Sequence, residues 1–341
     1  MHLNTLKLSF LVVLTVLFSS NANALDNQKL LDSLFSVIMI QGFNQDGSMA
    51  YGSGVVVAPQ KVLTNCHIFR QTKQAWVSIS EDTYSISSFQ ANRYHDLCLL
   101  TVDDLKIKAV EIGSASTMNK GQEVLAIGHS SGVATPISSS GSLKSVYPFD
   151  DGNVIRTTAR FAMGASGSGL FDLDGKLIGL NTFKSPGRNA YFYALPIEWL
   201  ASLEKEPIET EFPVNGKAFW EEDDVNKPFF MQIVEPEIQE DWSRLAVITQ
   251  KWIDSDSKSS EAWYEHGLSL EHLGNKKEAE SDYRQSIMLN KSNSDALFRL
   301  GMLASEKGDL EEVKRINLVL MEIDKDIAEE FKASTDCKTQ C

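Results

Sequence analysis

In Gly164-Ala165-Ser166-Gly167-Ser168-Gly169-Leu170-Phe171 a serine stands between small residues, where the backbone can turn sharply and leave a side-chain oxygen open. A serine hydroxyl is a poor nucleophile near neutral pH. It needs a base to take its proton and a third group to hold that base. Both types lie upstream: His67 in Thr64-Asn65-Cys66-His67-Ile68, and Asp96 in Tyr94-His95-Asp96-Leu97-Cys98. In this scheme His67 Nε2 faces Ser166, Asp96 accepts from His67 Nδ1–H, and the N–H groups of Gly164 and Ser166 receive a developing oxyanion. The expected reach from His67 to each partner is about 2.6–3.2 Å, looser without substrate. Taken singly, the serine frame is a turn, His67 a satisfied core histidine and Asp96 a strand-end cap. It is the three frames together that point to acyl transfer. His95 alternates away from Asp96 and is expected to be exposed. His129 reads as a turn residue. No spacing of Cys, His, Asp or Glu reads as a metal site, and no cofactor is expected.

These groups need rigid elements to hold them. From about Leu34 to Pro196, short apolar runs such as Gly54-Val55-Val56-Val57, Leu97 to Val102 and Val124-Leu125-Ala126-Ile127 recur between Gly, Asn, Asp and Ser clusters. That pattern predicts many short antiparallel strands, closed or sandwiched. The order His, Asp, Ser is that of chymotrypsin-like proteases. The segment resembles the trypsin-like serine proteases, nearest the bacterial Do-like (high-temperature-requirement) branch. Gly52-Ser53-Gly54-Val55-Val56-Val57, Leu63 to His67, Asp96 to Leu100, Val124 to Gly128, Gly164 to Gly167, Gly175 to Thr182 and Tyr193 to Pro196 carry the likeness. The resemblance implies two six-stranded β-barrels with His67, Asp96 and Ser166 in the cleft between them. It also implies a primary pocket walled by Arg160, Met163, Thr182, Phe183 and Lys184. Arg160 pointing inward would favour acidic substrate residues; a surface arginine packing its stem is the other reading. Phe183 and Met163 argue for an apolar pocket. Two departures stand out. Ser168 replaces the family's usual second glycine, and helical repeats replace the usual peptide-binding PDZ domain.

The helical pattern begins at Trp242. Ala262-Trp263-Tyr264-Glu265-His266-Gly267 is echoed by Ala296-Leu297-Phe298-Arg299-Leu300-Gly301, a shift of 34 residues. This period, with a small residue near its eighth position, resembles the tetratricopeptide repeat. Trp242 to Asp254 reads as the second helix of a third, degenerate unit. The apolar stripe Trp263, Leu270, Ala279, Tyr283, Ile287 is expected to stack on Leu297, Leu300, Ala304, Val313, Leu320 and leave a concave face for a protein partner. The fold class is therefore multidomain: an all-β double antiparallel barrel, chymotrypsin-like, followed by an α-helical tetratricopeptide-repeat domain. The expected boundaries are 1–24 signal peptide, 25–203 protease domain, 204–227 solvated linker, 228–332 repeats and 333–341 polar tail. Removal of the part after about Lys227 is expected to leave a folded protease domain.

The chain of 341 residues has a net charge of −14, with 46 acidic against 32 basic residues, which argues against nucleic-acid binding. Lys7, the apolar run Leu8 to Phe18 and Ala22-Asn23-Ala24 form an expected cleavable export signal. No later stretch is long and apolar enough to span a membrane. The protein is thus expected to be exported, periplasmic or secreted, where disulfides form. If His67 and Asp96 touch, Cys66 and Cys98 lie close enough to bridge; two buried thiols are the alternative. Such a bridge would contribute roughly 3–4 kcal/mol. Cys337 and Cys341 can pair locally or with another molecule. The leading functional expectation is an exported serine endopeptidase acting on a protein or peptide substrate. A non-catalytic peptide-binding scaffold and an ester hydrolase are the competing ones.

Overall fold

The computed structural model describes residues 27–185 and 190–335, so the expected signal segment and Cys337 and Cys341 lie outside the described residues. After a short helix α1 (Asn27–Phe35) come β1 (Val37–Asn44), β2 (Met49–Ala58), β3 (Lys61–Asn65), β4 (Thr72–Ile79), β5 (Asp82–Asn92) and β6 (Leu97–Val102). They pair in the order β5-β4-β1-β2-β3-β6, and a further β5–β6 pairing closes the ring. A second closed barrel, β10-β11-β12-β9-β8-β7, is built from β7 (Glu123–Gly128), β8 (Ile137–Phe149), β9 (Gly152–Thr157), β10 (Ser168–Phe171), β11 (Leu177–Lys184) and β12 (Phe192–Pro196).

Strand periodicity explains how the barrels join. Along β6, Cys98, Leu100 and Val102 point into the first barrel's core, while Leu97 and Leu99 enter a second cluster shared with the other barrel. Alternate residues must face opposite sides of a sheet. A strand buried on both faces therefore reads as a continuous apolar run, as Leu97 to Leu100 does.

The segment 204–227 is not a solvated spacer. After α2 (Leu200–Leu203), β13 (Ile208–Glu209) pairs with β5, extending the edge beyond β4. Val214, Ala218 and Phe219 are buried. Of the acidic run, Asp223 and Asp224 are exposed, but Glu221 is half-buried and ion-paired with Arg70 on the first barrel. Apolar residues interleaved with the acids draw the segment onto the barrels.

The helices are α3 (Phe229–Gln232), α4 (Val234–Ile238), α5 (Trp242–Ser255), α6 (Ser260–His272), α7 (Lys276–Leu289), α8 (Ser294–Lys307), α9 (Leu310–Ile323) and α10 (Lys325–Ser334). Ala279, Tyr283, Leu297, Leu300, Ala304, Val313 and Leu320 fuse into one core, with Leu270 and Ile287 at its edge. A Cβ on Gly267 would sit 2.9 Å from the Tyr283 ring, and one on Gly301 2.4 Å from Phe331, so the repeated glycines admit the next aromatic. Trp263 departs from the expected stripe, because it packs against the barrel-side cluster. That cluster runs without a break from Leu97 and Leu195 through Phe219 to Phe230, Ile233, Leu245, Trp252 and Ala262. Barrels and helices share a core, contrary to the separable arrangement the sequence suggests.

Candidate active site

His67 lies in a single 3₁₀ turn, Cys66–Phe69, directly after β3, and Asp96 ends the turn before β6. β3 and β6 are neighbours in register, Thr64 opposite Cys98 and Asn65 opposite Leu97. The pairing carries both turns to the same end of the barrel. Asp96 adopts φ 57°, a left-handed conformation that Asp tolerates. Its carboxylate is wholly buried. Oδ1 accepts the His67 backbone N–H at 2.7 Å, and Oδ2 lies 2.6 Å from His67 Nδ1. The same geometry joins Cys66 to Cys98 in a disulfide with Cα atoms 5.0 Å apart.

Ser166 comes from the second barrel, just before β10. Gly164 and Gly167 flank it at φ +91° and +81°, where a side chain would be strained. A Cβ on Gly167 would meet the Ser53 carbonyl at 2.2 Å and Thr64 Oγ1 at 2.3 Å, so this turn is wedged against β2 and β3. The Ser53 N–H donates to the Ser166 carbonyl at 2.8 Å, and Ser53 Oγ donates to the Gly164 carbonyl at 2.9 Å. The Ser131 N–H donates to the Met163 carbonyl at 2.6 Å. In a trans peptide the Gly164 N–H must then point the opposite way. Among the described residues, the N–H groups of Gly164 and Ser166 have no hydrogen-bond acceptor.

Ser166 and His67 are not hydrogen-bonded in this structure. Ser166 Oγ instead donates weakly, at 3.4 Å, to the Thr182 carbonyl. Asn65 ties the halves together, its Nδ2 donating to the Asp96 carbonyl and to Thr182 Oγ1, both at 3.0 Å. Ser168 is accommodated because Gly128 lies opposite, where a Cβ would come within 2.4 Å of Ser168 Cβ. Its hydroxyl accepts from Asn181 Nδ2 at 3.0 Å.

Of the expected pocket residues, Thr182 is buried and Phe183 half-buried, stacked between Tyr193 and Trp220. Arg160 and Lys184 are exposed, and Met163 is 78% exposed, so Arg160 does not form a buried pocket base. The buried arginine of this barrel is Arg156 on β9, which faces the helices over the Tyr191 ring. His95 is not exposed either. It stacks on Trp199 with centroids 3.8 Å apart and faces Asp150 at 3.3 Å, because the turn breaks the strand alternation at that point. His129 is buried in its turn, with Nδ1 2.9 Å from the Val133 carbonyl; burial holds its pKa below the usual value.

Trp220 and Glu221, read as linker, are part of the site's surroundings. The Trp220 ring meets His67 edge-on at 5.7 Å, and Arg70, three residues after His67, clamps Glu221 with both guanidinium nitrogens. Burial raises the Glu221 pKa, but the Arg70 bond and the Ala218 N–H outweigh it and hold the carboxylate below its ordinary range. The aromatic pair Phe219-Trp220 directly before the acidic run was the available signal.

Residues 52–180 match the trypsin-like peptidase domain, and residues 260–293 match the tetratricopeptide repeat. A probable periplasmic DegP-like serine endoprotease of Rickettsia prowazekii is 30% identical over 183 residues, covering 50% of this chain and 35% of that protein. The periplasmic serine endoprotease DegP of Escherichia coli is 27% identical over 183 residues, covering 49% and 38%. The match thus spans little more than a third of the length of these curated relatives. Among solved structures, the active form of the Rv3671c protease from M. tuberculosis shares the fold at a TM-score of 0.50 and 18% identity, over 63% of this chain and 99% of that one. Residues 52–180 are therefore similar to the trypsin-like peptidase domain, as found in DegP-like serine endoproteases, and residues 260–293 are similar to the tetratricopeptide repeat.

Proposed function

We propose that the protein is an exported serine endopeptidase with His67, Asp96 and Ser166 as its catalytic triad. The observation that carries this reading is the His67–Asp96 contact on one barrel, facing a serine turn on the other whose Gly164 and Ser166 N–H groups are unengaged. His67 Nε2 takes the Ser166 proton as Oγ attacks the scissile carbonyl. Asp96 fixes the tautomer and stabilises the imidazolium, and Gly164 and Ser166 donate to the oxyanion. His67 then protonates the leaving amine. Water, deprotonated by the same histidine, hydrolyses the acyl-enzyme. In the first step Ser166 Oγ gives up the Thr182 carbonyl for His67 Nε2. Among the described residues, the edge of β11 opposite β12 has no strand partner beyond Asn181, which suits an extended substrate adding along Thr182 to Lys184. The helical repeats are proposed to recruit a protein substrate or partner.

The scaffold reading draws on one observation, that Ser166 faces Thr182 and not His67. Labelling with a serine-directed phosphonylating reagent followed by peptide mapping decides between them. Modification at Ser166, absent after His67→Ala, supports the protease, whereas an unmodified chain supports the scaffold.

A further inference from the structure

A cavity of about 610 Å³ opens where β11 leaves the serine turn, and the helical region supplies its outer wall. Phe183, Tyr193, Trp220, Met231, Val247 and Ile248 make it apolar. Its floor is continuous with the candidate active site, since Trp220 touches His67 edge-on and stacks on Phe183 at 5.3 Å. Val247 is 56% exposed and Val225 83% exposed within it. An apolar surface left open beside a reactive centre needs an occupant. Its rim carries four cations. Arg244 and Lys227 are matched by Glu235 and Asp224 at 2.9 and 2.8 Å. Lys184 and Lys251, on opposite walls, have no carboxylate partner among the described residues, in a chain of net charge −14.

We infer that this cavity is a substrate subsite, built jointly by β11 and α5, that takes an apolar side chain flanked by an acidic residue a few positions from the scissile bond. The inference rests on the protease reading. The occupant is the substrate, because the cavity begins at Phe183, next to the residue whose carbonyl Ser166 touches, and a strand added along β11 runs straight into it. Lys184 and Lys251 would meet the acidic group from either side. The helical region would then set specificity directly, besides any recruitment.

The test uses two fluorogenic peptides of equal length with leucine at the inferred position, flanked by glutamate in one and by lysine in the other. The glutamate peptide is expected to have about tenfold higher kcat/KM on the full chain, and the preference should invert in K184E/K251E. Val247→Asp should lower kcat/KM for the glutamate peptide through KM, with kcat held. All three positions are exposed, so melting curves should match the parent. Equal rates on the two peptides, or a preference unmoved by the double reversal, overturn the inference. A chain that cleaves neither peptide and takes no phosphonate fails the protease reading instead. Binding to Ser166→Ala by fluorescence anisotropy then still judges the cavity: tighter binding of the glutamate peptide, lost in the double reversal, upholds it, and equal binding overturns it.

Discussion

Two joints hold this molecule together, and they are built differently. The joint between the barrels is made of short polar contacts around the candidate site: Ser53 donates to the Ser166 and Gly164 carbonyls, and Asn65 Nδ2 donates to Thr182 Oγ1. The joint between the second barrel and the helices buries several charges far apart in sequence. Lys120 lies 2.7 Å from Asp295 and 3.3 Å from Glu261, and its side chain is only 3% exposed. Arg156 sits 4.4 Å over the Tyr191 ring, with Tyr191 donating to Glu237 at 2.6 Å. Among the described residues, neither carboxylate oxygen of the buried Glu265 has a hydrogen-bond partner. The first joint sets Ser166 beside the His67–Asp96 pair, the candidate reactive groups. The second joins an apolar core to a charge network that is only partly satisfied, so its contribution depends on every partner being present.

The sharpest way to break this contrast is to cut the second joint. Ending the chain near Lys227 removes Phe230, Ile233, Leu245, Trp252 and Ile253 from the shared core. At roughly 1.5–3 kcal/mol for each buried side chain, the loss rivals a typical net stability of about 5–15 kcal/mol. The truncated protein is expected to be insoluble or molten, reversing the expectation drawn from sequence. A soluble fragment with a cooperative melt would show the joints to be independent.

The first joint is broken chemically by Ser166→Ala. Turnover of a casein or peptide substrate should fall by about 10⁴–10⁶ with an unchanged melting temperature, because alanine fits the same turn. A parental rate would remove Ser166 from the mechanism.

Lys120→Met probes the second joint alone. It leaves Glu261 and Asp295 without their buried cation, and breaking such a set costs about 3–5 kcal/mol. Chemical denaturation should show that loss, and a change below about 1 kcal/mol would mean the network is solvated.

The smallest effect is one of pH. Burial and the neighbouring Glu237 hold the Glu265 carboxyl well above the ordinary carboxylate range. The folded protein therefore keeps a proton there that the unfolded chain releases above about pH 4.3. Folding binds more protons than unfolding over that window, so this group's contribution to stability falls as pH rises. Glu265→Gln removes the titration. The variant should equal the parent near pH 4 and exceed it at pH 8 in urea midpoint. A difference that does not vary with pH would show that Glu265 ionises normally in the folded state.

The same division governs what was legible in the sequence. The barrels were readable because a strand declares its burial every second residue, and the repeats because Gly267 and Gly301 recur with the helices they let approach. The candidate residues His67, Asp96 and Ser166 stood out because each sits in a short frame that its own turn requires. Trp220 beside His67, Arg70 on Glu221 and the exposure of Arg160 were not, because no local rule fixes where those side chains point.

By itself, the sequence determined the element types, their order and the chemical groups available, since φ preferences, periodicity and hydrogen-bonding capacity belong to residues and their near neighbours. Only the tertiary structure decided that 204–227 packs as part of the core, that Ser166 Oγ faces Thr182, and that helices distant in the chain wall a cavity beside the serine turn. Those outcomes depend on which surfaces meet across separations that run from 16 residues for Ser166 and Thr182 to 151 for Arg70 and Glu221, where burial and charge pairing act between groups that local sequence rules do not link.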